Sequence, residues 1–444
     1  MEIRTERPVL LPVHFTKEPD EEFNRQLAAL HRLLGDDAEF LAPMPLGSDV
    51  PGSVDAVVLP QVLGEAYRNM HRLKMIRGPL LIITSEFGTV SMWDWEVSAC
   101  MRSEGISALA PHNLAQARRM CRALGARRQL QHAKFLVFQD NPGAGFQASI
   151  FKRFYWWEDE CVQRMCEKFG VQIVRKSYKA LGEAAQAMDD AEASTILNSR
   201  RIPVDGVPSR ALLSAIKLYL AIKREVDADD SVQAVGINCL NESHFSDTTP
   251  CLAWNMLYEE DGLIWGCEAD VMSMLTKFIL HRSLDLPIML TNLYPFLLGQ
   301  AALKHERIPA FPETREPENC VLVAHCGYLG VLPAPFSTEW NLRPKVLAIV
   351  NDNATAIDAR LPEGPITLVK LHPKLDLMSV AEGSLEGYAQ YPGSDCRNGG
   401  IIRVTNGPKL VQSLSSHHYL LTTGHNHADI EMLGKIFDFG VETI

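Results

Sequence analysis

The feature that most constrains this chain is a series of short, continuous apolar runs set between helical patterns. Ala56–Leu59 (AVVL), Pro79–Thr84 (PLLIIT), AKFLVF at 133–138 and VQIV at 171–174 are of strand length and offer no polar face. A strand apolar on both sides must be covered on both sides, and helices on the two faces of a parallel sheet do this. Asp20–Leu34 and Asn113–Leu124 carry the intervening helical spacing, and Val9–Val13 supplies the first strand. A second unit of the same kind begins near His132. Its pattern predicts helices over Glu158–Phe169, Ala180–Leu197 and Pro208–Val226. Strand Ala234–Leu240, helix Thr249–Tyr258, strand Leu263–Glu268 and helix Ala269–Arg282 come next, with Thr249 a candidate cap.

After about residue 318 the pattern changes. CVLVAHC, KVLAIV, ITLVKLH, LMSVAEG, GIIRVTN and HHYLLTT are short strands separated by turn residues, which predicts an antiparallel sheet or barrel. A last helix is expected over His427–Phe437. The expected fold class is therefore α/β, with two Rossmann-like N-terminal domains and a C-terminal β-rich, barrel-like domain. The expected domains are 1–128, 129–318 and 319–444, the last boundary falling in the Pro- and Glu-rich stretch 308–319.

Composition removes several function classes. The net charge of −11 offers no electrostatic footprint for nucleic acid, and Arg118-Arg119 and Arg200-Arg201 are too short to change that. No apolar run approaches the length needed to span a membrane. The opening MEIRTERPVLLPVHF does not read as a secretory signal. The ten cysteines contain no CxxC pair, so reduced thiols and a cytoplasmic location are expected.

The motifs that carry chemistry are few. NPGAG at 141–145 lacks both phosphate-loop signatures and is explained by a turn. No GxSxG is present. More informative is the segment 236–274, where two strand-like runs each end in carboxylates: Glu242 after the first, Glu268 and Asp270 after the second. Open α/β sheets collect ligands at such strand ends, and carboxylate oxygens suit hard divalent cations. Equally, Asp270 reads as a helix N-cap and Glu242 as a solvated loop residue.

A second cluster is SSHHYLLTTGHNH at 415–427. On a strand His417 and His418 face opposite sides, so at most one joins a given site. His425 and His427 lie where the strand gives way to the last helix, and solvated turn histidines are the alternative. His325, at the end of VLVAH, reads as a core histidine or a site residue. Two carboxylates and one histidine suit Mn²⁺ or Mg²⁺ better than structural zinc.

CEADVMSMLT resembles the segment that supplies a metal-binding Asp in the L-fucose isomerase and L-arabinose isomerase superfamily. HHYLLTTGHNHADIEMLGKIF is similar to that family's closing strand and helix, and VLVAHCG, GPITLVKLHP and CRNGGIIRV to its C-terminal barrel. The resemblance covers about residues 232–430. Farther upstream it rests on the α/β alternation and on FLVFQDNPG and KFGVQIV. It implies that Glu242, Asp270 and His418 are metal ligands, with Glu242 and Asp270 also the acid/base pair. Asn241 and Phe245 stand where the family has an aromatic beside its first Glu. His325 and Arg397 become candidates for substrate contact, and Glu268 and His425 for support around the ligands. The implied cofactor is Mn²⁺ first, with Mg²⁺ or Co²⁺ the other candidates.

The activity implied by the resemblance is that of a divalent-metal aldose–ketose isomerase acting on a free sugar through an enediol, in a homo-oligomer (trimer, hexamer or dimer). Phe154-Tyr155-Trp156-Trp157 is a candidate interface anchor. The chain is shorter than fucose isomerase proper, which leaves the sugar open. Two rival readings stand beside it: an isomerase of an anionic hexose, sulfonated or phosphorylated, using Arg397 or Arg403, and a non-catalytic sugar-binding protein of the same fold.

Overall fold

The computed structural model describes residues 5–61, 63–84, 92–141, 158–294, 313–325, 328–347, 350–390 and 399–444. It is a mixed α/β protein with two parallel sheets and a closed antiparallel barrel. In the first sheet the strands lie in the order Glu39–Phe40, Val9–His14, Ala56–Leu59, Leu80–Ile82, Ala108–Leu109, all parallel. The Asp20 carboxylate accepts the Phe23 N–H at 2.7 Å and starts helix Glu21–Leu34, whose Phe23, Leu27, Leu30 and Leu34 are buried. Asn113 caps helix Leu114–Leu130 in the same way.

The second sheet runs Ile264–Cys267, Val232–Ile237, Lys134–Phe138, Gln172–Lys176, again all parallel. Register places Ile237 opposite Cys267, so the residues following these strands emerge side by side. Two local expectations fail here. The helical pattern Ala180–Leu197 is two helices, Tyr178–Gln186 and Asp190–Ser199, because the Asp189 side chain accepts the Ala191 N–H and starts a new helix. Thr249 does not cap the helix that follows it. Pro250 holds that position, and the Thr249 hydroxyl pairs instead with the backbone of Thr355.

Six strands close the barrel in the order Gly364–Leu371, His418–Thr423, Met289–Tyr294, Cys320–Ala324, Gly399–Val404, Leu377–Ala389 and back to the first. All six pairings are antiparallel. Met289–Tyr294 enters the barrel from a position well before residue 319, because it supplies the partner that His418–Thr423 and Cys320–Ala324 both need. Glu339–Pro344 and Thr355–Arg360 form a separate two-stranded ribbon. Residues 345–347, at the start of the expected strand KVLAIV, lie outside it. Helix His427–Phe437 forms as expected. One buried apolar core runs continuously through helix Leu114–Leu130, the second sheet and the barrel. No helix of the described residues is long and apolar enough to cross a membrane.

Candidate functional site

The ends of the second sheet's strands meet the barrel at a buried polar cluster. Asp270 is its hinge. It is the N-cap of helix Val271–Leu284, with one carboxylate oxygen accepting the Ser273 N–H at 2.9 Å. Its other oxygen accepts from the Ser273 hydroxyl at 2.6 Å, from His418 Nδ1 at 2.9 Å and from the Lys370 ammonium at 3.3 Å. The cap role foreseen for Asp270 is filled, and the same carboxylate pairs with His418 and Lys370. His418 opens its barrel strand, and its Nε2 lies 3.6 Å from Glu268 Oε1. Lys370 comes from strand Gly364–Leu371 and also donates to Ser273 Oγ at 2.8 Å. Asp270, Lys370 and His418 are all fully buried.

Burial alone would push carboxylates up and imidazoles down. Here the pairings win. Burial raises the Asp270 carboxyl, but Lys370 and His418 hold it well below its usual range. Burial likewise raises Glu268, and the bond and charge of His418 bring it below its ordinary value. Burial lowers His418, yet its hydrogen bonds to Asp270 and Glu268 push it up to about 9. His417, packed 4.4 Å from the His418 ring, is pushed down to about 3 by burial and by His418. His417 precedes the strand rather than belonging to it, so strand alternation does not separate the two rings.

His325 follows strand Cys320–Ala324, with its ring edge-on to His418 at 5.5 Å. Its Nδ1 lies 3.2 Å from Asn292 Oδ1, on the strand between them. Among the described residues the metal-competent group is Cys267, Glu268 and His325, whose ligand atoms all lie within 4.8 Å of one another.

Other expected site residues are held elsewhere. Glu242 is buried, but its carboxylate accepts the backbone N–H groups of Asp140 and Asn141. Burial raises its pKa above the ordinary value, and those two backbone bonds only partly offset this. His425 is exposed, 3.2 Å from the Gly383 carbonyl and 3.9 Å from Glu382, so it does not support Asp270 or His418. Arg403 forms a two-point bond with Glu386 at 2.6 and 2.8 Å, which satisfies its charge. Arg397 and the aromatic group 154–157 lie outside the described residues.

The Mn²⁺ set implied by the resemblance was Glu242, Asp270 and His418. The chemistry of Asp270 does not fit direct ligation in this arrangement. Its oxygens already accept four hydrogen bonds, and the Lys370 cation stands beside it where a metal's charge would be needed. Lys370 and Cys267 are the residues that sequence reasoning missed. Lys370 had a signal: a lone cation inside the apolar run ITLVKL. Cys267 had none beyond its position at a strand end. No family model matches the chain, and no curated protein matches it.

Proposed function

We propose that this protein is a metal-assisted aldose–ketose isomerase of a free sugar, working by an enediol where the second sheet meets the barrel. The observation that carries this reading is the Asp270–His418 pair. These residues lie 148 positions apart, one after a parallel strand and one on a barrel strand, and stand 2.9 Å from each other. They are the two residues that the resemblance singles out most sharply. The sheet order, with the second strand at the edge beside the first, suits a reading of both parallel units as Rossmann-like domains. The same reading keeps the units 1–128, 129–318 and 319–444, with Met289–Tyr294 lent to the barrel. It places the protein in the cytoplasm as a homo-oligomer.

In the chemistry that the resemblance implies, a divalent cation would supply a Lewis acid for the sugar carbonyl; Asp270, already engaged by Ser273, Lys370 and His418, would not be its ligand. The protein's own residues supply the proton chemistry. Glu242 is the base candidate: it is a buried carboxylate beyond the end of the strand beside that of Asp270, and burial raises its pKa above the ordinary value. Asp270 is held ionised and engaged on all sides, which suits it to fixing His418 and Lys370 rather than to moving a proton.

The test is a panel of aldoses assayed for ketose, with chelation and restoration by Mn²⁺, Mg²⁺ or Co²⁺. In D₂O the enediol route is expected to place deuterium at C1 of the ketose. Glu242→Gln keeps shape and loses the base, so turnover is expected to fall at least about 100-fold. No ketose from any aldose, with tight sugar binding retained, would leave the sugar-binding reading in its place. A normal rate in Glu242→Gln removes that residue from the reaction.

A further inference from the structure

We infer that Cys267, Glu268 and His325 form a binding site for a thiophilic divalent cation of the Zn²⁺ class, with ligands other than Glu242, Asp270 and His418, though Glu268 adjoins His418. This inference does not need the isomerase reading, since ion binding is read without a sugar.

The backbone explains how consecutive residues share one site. On a regular strand Cys267 and Glu268 would face opposite sides. The strand ends at Cys267, and Glu268 and Ala269 both take left-handed conformations, with φ of 54° and 57°. Both conformations are strained for a residue with a Cβ. The turn is held by the Ala269 N–H, which donates to the Ile237 carbonyl at 3.0 Å on the neighbouring strand. It turns the Glu268 carboxylate back to the side of the Cys267 thiol.

His325 is prepared as a ligand. The Asn292 amide donates from Nδ2 to the Tyr294 hydroxyl at 2.9 Å, which points its Oδ1 at His325. His325 therefore donates from Nδ1, and the lone pair falls on Nε2. That Nε2 is buried and has no hydrogen-bond partner among the described residues. A buried imidazole nitrogen without a partner is costly unless something binds there.

The ligand set selects the ion. One thiolate, one carboxylate and one neutral imidazole together carry a charge that balances a dication. Ligation breaks the Cys267 S–H bond, releases its proton to solvent and forms the sulfur–metal bond. Sulfur with nitrogen and oxygen suits Zn²⁺ or Co²⁺, whereas Mn²⁺ and Mg²⁺ take oxygen. Bonds of about 2.0–2.3 Å at tetrahedral angles need ligand atoms roughly 3.3–3.8 Å apart, against separations within 4.8 Å here. Cys239 Sγ lies 3.4 Å from Cys267 Sγ, placed to hydrogen-bond the thiolate. Three protein ligands leave a fourth position open.

The test is metal analysis of the full chain produced in zinc-supplemented medium, with a parallel cobalt preparation read by absorption. Expected are about one zinc per chain and, with cobalt, the near-ultraviolet charge-transfer band of a thiolate ligand. Cys267→Ser and His325→Gln are expected to abolish stoichiometric zinc, and Asn292→Ala to weaken it about 10–100-fold. Asp270→Asn is expected to keep the ion. Wild-type protein without zinc, or a cobalt form without the thiolate band, overturns the inference whatever the variants do. Zinc kept in folded Cys267→Ser and lost in folded Asp270→Asn overturns it in favour of the other set.

Discussion

Lys277 is expected to be a destabilising residue, and its replacement by Met a stabilising one. The side chain sits on helix Val271–Leu284, fully buried. Its amine lies 3.3 Å from the centre of the Trp265 ring and 4.8 Å from that of Tyr258. It has no hydrogen-bond partner among the described residues, and burial pushes its pKa far below the usual lysine value. A lysine in the unfolded chain titrates near 10.4, so an amine that folds neutral at pH 7 would cost about 4–5 kcal/mol, which is the premise the variant tests. Met keeps the length and the apolar stem, and imperfect repacking takes back at most about 1.5 kcal/mol. Lys277→Met should therefore gain about 3 kcal/mol at pH 7. The folded pKa is depressed, so the unfolded state binds the extra proton and wild-type stability rises with pH. The gap between variant and wild type should shrink by about 1.4 kcal/mol for each pH unit as the buffer is raised toward 9. The assay is urea unfolding followed by tryptophan fluorescence, since Trp265 and its stacked neighbour Trp254 report this region. A variant less stable than wild type at pH 7, with a gap independent of pH, would refute the reasoning. It would mean that the amine keeps its charge and that the two aromatic faces stabilise it.

Asp270→Asn leaves Lys370 and His418 buried beside a neutral amide and should cost about 3–5 kcal/mol, read by thermal or urea unfolding. His281 is pushed down to about 3 by burial, so it folds neutral while the unfolded chain takes up a proton below about pH 6.5. Stability is accordingly lost as pH falls below that point, by up to about 1.4 kcal/mol per unit, and His281→Gln should flatten this dependence between about pH 6.5 and 5. Gly182 lets its helix approach the chain that follows Glu242: a Cβ there would stand 1.9 Å from the Phe245 carbonyl oxygen. Gly182→Ala should cost about 1–3 kcal/mol, and sugar turnover should fall with it if Glu242 is the base.

Local pattern was enough wherever an element is decided by its own residues. The apolar runs at 56–59 and 134–138 are strands because no other arrangement hides both faces. Helix His427–Phe437 starts and stops where its amphipathic pattern does, and Asp20 caps its helix through a bond three residues away. The same kind of argument failed at Ala180–Leu197, where one carboxylate at Asp189 restarts the helix without disturbing its apolar spacing. It failed at Thr249 as well, where a strand 106 residues away claims the hydroxyl. The site belongs to the tertiary structure for a related reason. Asp270 and His418 could be named as a pair from their motifs. That Lys370 pairs with Asp270, and that Cys267 joins Glu268 and His325, depends on barrel closure and strand register. Those are set by burial summed over the barrel, of which the positions themselves carry no mark beyond the lone cation of Lys370 in an apolar run. Two left-handed residues at the end of one strand then decide which way a carboxylate points.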